Sequence, residues 1–119
     1  MKTPDNITID SAEDKPSTQA YVVLKEEFYN RIKAGTKKTE YRDFTKYWIE
    51  RLLTHPLKTI KLNRGYTEDH MIFEIDWIGV IDGEREIHAF DKDGDMNPEG
   101  ASEDFQPDTI SIHLGKRLK

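Results

Sequence analysis

Polar and apolar positions alternate along much of this chain, and in two early stretches a helical spacing replaces the alternation. Ala20-Tyr21-Val22-Val23-Leu24 is a short apolar run that predicts a strand leading directly into a helix over residues 26–34. Phe28, Ile32 and Tyr29 supply the apolar face of that helix, and Glu26 and Glu27 suit the positive end of its dipole. Gly35 stands where a glycine ends a helix by taking positive φ. From Thr39 the pattern turns extended, which puts Glu40 and Arg42 on one strand face and Thr39 and Tyr41 on the other. Lys37 follows the turn closely enough to fold in beside the two charges. Asp43 then serves as the candidate N-cap of a second helix over 44–54, with Phe44, Trp48, Leu52 and Tyr47 on its core side and His55-Pro56 ending it.

The remainder reads as strands. Lys58-Thr59-Ile60-Lys61-Leu62 alternates as a half-buried strand does, and Arg64-Gly65-Tyr66 turns it. Residues 71–81 form the longest β-rich stretch, Asp82-Gly83 is a hairpin signal, and 85–90 is the returning strand. An acidic loop over 91–107 precedes a closing strand at 109–114. Two early helices and about six short strands at hairpin-scale spacing predict an α+β fold. Its expected form is a small mixed, mostly antiparallel β-barrel with two or three helices packed around it.

Composition narrows this picture. The chain has 119 residues, enough for one domain, with 35% hydrophobic and 34% charged positions and no cysteine. Residues 1–18 are polar and predict a flexible N-terminal segment, leaving 19–119 as the folded domain. No stretch has the apolar length of a signal peptide or a bilayer span, so the expectation is cytoplasmic with no membrane partner. The net charge of −5 conceals an asymmetry: residues 19–66 carry a balance of +6 and residues 67–109 a balance of −12. The basic half can hold a nucleic acid or nucleotide even though the whole molecule is acidic.

Few motifs carry chemistry. Asp91-Lys92-Asp93-Gly94-Asp95 opens like a calcium loop, but Met96 stands where the glycine belongs and Ser102 where the closing glutamate belongs. His55, His70, His88 and His113 show no metal-ligand spacing, and no serine sits in a nucleophile context, so neither metal nor cofactor is expected.

Gly35-x-Lys37-x-x-Glu40-x-Arg42, preceded by Phe28-Tyr29-Asn30-Arg31-Ile32-Lys33-Ala34, resembles the defining motif of the ASCH domain, a family related to PUA RNA-binding domains. The resemblance continues in order through 61–66, 73–78 and 110–118, and points to a subgroup found in bacteria and phages. It implies a small PUA-like barrel whose polar cleft is lined by the motif, with RNA or a nucleoside as ligand. Some relatives are amidohydrolases acting on N-acetylcytidine and others cleave RNA. In the amidohydrolase type the motif lysine works with a threonine, at the position held here by Glu40, and with a distant glutamate. Glu74, Glu99 and Glu103 are the candidates for that glutamate in this chain.

Three functions follow. The first is a binding module for RNA or a nucleoside or nucleotide, using Lys37, Lys38, Glu40 and Arg42, extended by Lys61 and Arg64, with Tyr41 and Tyr66 as stacking faces. The second is a metal-independent amidohydrolase or ribonuclease, with Lys37 as base and Glu40 moving a proton. The third is a phage-type interaction protein whose acidic half meets a protein partner.

Overall fold

The computed structural model describes residues 17–91, 93–94 and 104–119. In chain order these form β1 (Gln19–Leu24), α1 (Glu26–Lys33), β2 (Thr39–Asp43), α2 (Lys46–Leu52), β3 (Thr59–Arg64), β4 (His70–Asp82), β5 (Arg85–His88) and β6 (Thr109–Arg117). The fold is a small α+β one, in which two helices accompany a mixed six-stranded sheet curled into a half-barrel. The strands run in the order β1-β3-β4-β6-β2, and β5 pairs with β4 outside that path. β1 and β3 are parallel, with Val22 opposite Leu62, and every other pairing is antiparallel.

β4 generates the curl. Its first half pairs with β3 and its last residues with β5 on the same edge, while β6 runs along the other edge. The register against β6 is irregular between Phe73 and Ile75 and again between Ile75 and Trp77. Such irregularities bend a strand and reverse which face its side chains take. Met71 and Phe73 are buried before them, Ile78 and Val80 after them. The phase change keeps both halves of β4 on the core while the sheet turns inward. It also leaves Trp77 and Gly79 on the convex side.

The concave face carries the core. Val22, Leu24, Ile60, Leu62, Met71, Ile110 and Ile112 are almost wholly buried there, joined by Tyr29 and Ile32 from α1 and by Leu52 and Leu53 at the end of α2. Each such large side chain contributes about 1.5–3 kcal/mol on burial. α1 ends as the sequence predicts: Gly35 has φ +83°, and the N–H groups of Thr36 and Lys37 both donate to Arg31 O, at 3.0 and 3.2 Å.

Two expectations need correction. α2 is shorter than 44–54, and its N-cap is Thr45, whose hydroxyl accepts from Trp48 N, rather than Asp43. Asp43 closes β2 opposite Thr109, and Phe44 N donates to Asp108 O at 3.0 Å, so strand pairing holds the chain extended beyond the predicted start. The closing strand also runs on to Arg117 instead of stopping at Leu114. The predicted flexible segment 1–18 lies outside the described residues up to residue 16, as does most of the calcium-loop-like stretch. Among the described residues no helix is long and apolar enough to cross a membrane, and no cluster of metal-ligating side chains occurs.

Candidate functional site

A half-barrel has two unclosed edges, here β1 and β2, and a pocket lies along the seam between them. Its volume is about 670 Å³, within the range that holds a nucleoside-sized ligand. β1 supplies Tyr21 and Val23, α1 supplies Phe28, and β2 supplies Glu40, Tyr41 and Arg42; α2 closes the far end with Tyr47 and Trp48.

Register explains the chemistry at the floor. Glu40 faces Ile112 across the β2–β6 ladder and Arg42 faces Ile110, so both charged residues occupy positions that otherwise hold core isoleucines. They stand at the edge of the sheet, where the concave face opens into the seam. Glu40 is only 5% exposed, too enclosed to count as a solvated surface charge. Two cations compensate it: Arg42 Nη1 lies 2.8 Å from Oε2 and Lys37 Nζ 3.4 Å from Oε1. The turn at Gly35 brings Lys37 back toward its own helix, where the ammonium sits 5.9 Å from the Phe28 ring centre and 5.2 Å from that of Tyr41.

Arg42 also joins the two edges. Nη2 donates to Val23 O on β1 at 3.2 Å and Nη1 to Tyr41 O on β2 at 3.3 Å, while the guanidinium lies 5.1 Å from the Trp48 ring centre. A side chain therefore does at the seam what ladder hydrogen bonds do elsewhere in the sheet. Its Nε–H is buried and has no acceptor among the described residues.

The rim is aromatic. Tyr21, Tyr41 and Tyr47 are half-exposed and Tyr66 almost fully so, and all four line the pocket. Tyr66 is presented by a braced turn: Gly65 has φ +55° and its N–H donates to Leu24 O, while buried Asn63 Nδ2 donates to Gly65 O and Thr67 O.

The structure thus brings together Lys37, Glu40, Tyr41, Arg42 and Tyr66, and sets the other predicted residues apart. Lys38 is exposed and does not line the pocket. Lys61 stands beyond Tyr21, its ammonium 5.9 Å from that ring centre. Arg64 is engaged by Glu26 at 2.9 Å and by Asp69 at 2.5 Å, and its guanidinium holds the Asp69 carboxyl below its ordinary value. Glu74 is an exposed residue of β4 opposite Thr59, away from the seam, and Glu99 and Glu103 lie outside the described residues. Trp48 and Phe28, which helical spacing assigned to the core, form pocket walls. Both stand in the first turn of helices that begin at the seam, a relation that only the tertiary fold creates.

A second polar cluster lies on the convex face. Trp77 is sandwiched between His88, at 4.2 Å, and His113, at 3.8 Å. Glu86 reaches across Gly79 from β5 to β6, where it accepts from Ser111 Oγ and pairs with His113 Nε2 at 2.7 Å. Burial pushes the Glu86 carboxyl up, but hydrogen bonds from Ser111 and His113 and the nearby imidazoles outweigh it and hold the group below its ordinary value. A carboxyl lowered in the folded state stabilises the fold above its unfolded value of about 4.3 and loses that contribution as pH falls through the folded one. Melting temperature should therefore drop on acidification from about pH 6 to about pH 3, and less steeply in Glu86→Gln. Parallel acid limbs in the two proteins would show that this bridge does not contribute.

No family model matches the chain, and comparison with curated proteins likewise returns no match.

Proposed function

We propose that the seam pocket binds an RNA base or a free nucleoside or nucleotide, and that the half-barrel is a PUA-like domain of ASCH type. The observation that carries this reading is Glu40, buried at the floor of the pocket between Lys37 and Arg42. A nucleobase edge offers amino and ring N–H donors beside carbonyl acceptors. The floor offers the complement: the carboxylate accepts and the lysine ammonium donates. The Lys37 contact, at 3.4 Å, is longer than a close hydrogen bond, so Oε1 keeps capacity for a ligand donor. Phe28 and Trp48 supply faces against which a base can lie.

The same geometry favours binding over hydrolysis. A threonine at the Glu40 position could donate to a developing oxyanion, whereas a carboxylate repels one. Both Glu40 oxygens already meet cations, and among the described residues the other carboxylate lining the pocket is Asp43, at its rim end.

The test is titration of the full chain with nucleosides, nucleoside monophosphates and short RNAs, read by thermal shift and calorimetry. Lys37→Ala should weaken binding by roughly 1–3 kcal/mol, the contribution of a charge-assisted contact. Absence of binding to every ligand in that set would remove this reading.

A further inference from the structure

We infer that the rim of the seam is a track for single-stranded nucleic acid, so that the full ligand is an oligonucleotide with several bases in contact rather than one nucleoside; this rests on the base-binding reading of the floor and extends it.

The seam carries more rings than one base can use. One base has two faces, and two rings satisfy it. Phe28 and Trp48 already stand inside the pocket, yet four tyrosines are exposed around its mouth. Among the described residues these four are all of the exposed large aromatic side chains; the fifth tyrosine of the chain, Tyr29, is in the core. They come from four separate places: Tyr21 from β1, Tyr41 from β2, Tyr47 from α2 and Tyr66 from the turn after β3. Apolar ring surface left in water on one rim is surface kept for a partner.

The second observation is that three of these rings each carry a cation. Lys61 lies 5.9 Å from the ring centre of Tyr21, Lys37 lies 5.2 Å from that of Tyr41, and Arg51 lies 3.5 Å from that of Tyr47. The three pairs form independently, across the β1–β3 ladder, across the turn into β2, and one helical turn apart on α2. In each unit a cation sits over one face of a ring that is still about half exposed, so that aromatic surface and positive charge lie together. A polynucleotide repeats the complement of that unit, a flat base and a negative phosphate. Stacking tolerates any base and the cations follow the backbone, so the track needs no sequence preference of its own. The basic balance of residues 19–66, which hold all of these rings and cations, has the sign that phosphate requires.

A length series decides it. Fluorescently labelled mixed-sequence RNA single strands, from a mononucleotide to a nonamer, are titrated with the full chain, together with the nonamer annealed to its complement. Affinity should rise at least tenfold between mononucleotide and hexamer, fall with salt for the longer strands, and be weaker for the duplex. The double variant Tyr21→Ala/Tyr47→Ala should reduce hexamer affinity at least tenfold more than mononucleotide affinity. Tyr21→Phe/Tyr47→Phe, which keeps the rings, should restore it. Affinity that is flat with length, equal losses for the two ligands, or a duplex bound as well as the strand would each overturn the track while leaving the pocket in place. No binding by mononucleotide or strand would overturn the base-binding reading as well.

Discussion

Glu40→Ala is expected to destabilise the fold by about 2 kcal/mol and to abolish the ligand binding proposed for the seam. The carboxylate is the shared counter-charge of Lys37 and Arg42, and its removal leaves two enclosed cations facing one another. Breaking a fully buried pair costs roughly 3–5 kcal/mol. The Lys37 and Arg42 side chains are 21% and 22% exposed, so water takes up part of the uncompensated charge and the smaller figure applies. The damage is not confined to the pocket, because Arg42 without Glu40 has a looser hold on Val23 O and the β1 edge loses its tie to β2. Glu40→Gln, which keeps the volume and one acceptor, should be the milder change. Urea unfolding of the three proteins reads the effect directly. An alanine variant as stable as its parent would show that the carboxylate does not hold the seam.

Gly79→Ala should cost about 2 kcal/mol, for reasons of space alone. Its backbone does not adopt positive φ. A Cβ there would nonetheless come within 2.6 Å of Ser111 Oγ, 2.8 Å of the Trp77 ring and 3.0 Å of the Glu86 carboxylate. One methyl group would thus displace the carboxylate from Ser111 and His113 and push Trp77 out of its imidazole sandwich. The gain that alanine ordinarily brings to a strand over glycine, about 0.5–1 kcal/mol, is smaller than that loss. The variant should melt roughly 8–16 °C lower, given about 4–8 °C per kcal/mol in a domain of this size. Trp77 emission, read in a Trp48→Phe background, should shift with it. Unchanged stability would mean that the convex cluster relaxes without penalty.

The motif at 35–42 was legible because its chemistry is local. Glycine after a helical run, then alternation, places Glu40 and Arg42 together and Tyr41 opposite, and the observed ladder with Ile112, Ser111 and Ile110 has that phase. The Asp82-Gly83 turn was legible for the same reason. What sequence reading missed depends on pairings between distant strands. Nothing local says that β1 runs parallel to β3, that the barrel stops short of closing, or that Arg42 reaches Val23 O. The His88–Trp77–His113 stack arises from two strand registers and a phase change in the middle of β4. Asp43 and Thr45 are both good helix caps by type, and the choice between them was made by Asp108, which holds Phe44 in extended pairing.

The position of β6 between β4 and β2 also sets an order of events during synthesis. Glu40 and Arg42 belong to a strand whose ladder is made with Ile112 and Ile110, far along the chain from them. A nascent polypeptide emerging from the ribosome has its motif residues long before it has the strand that anchors them. Pairings between such distant segments form slowly, since a long loop must close before any contact repays it. The floor of the seam pocket is therefore set only once β6 has paired with β2.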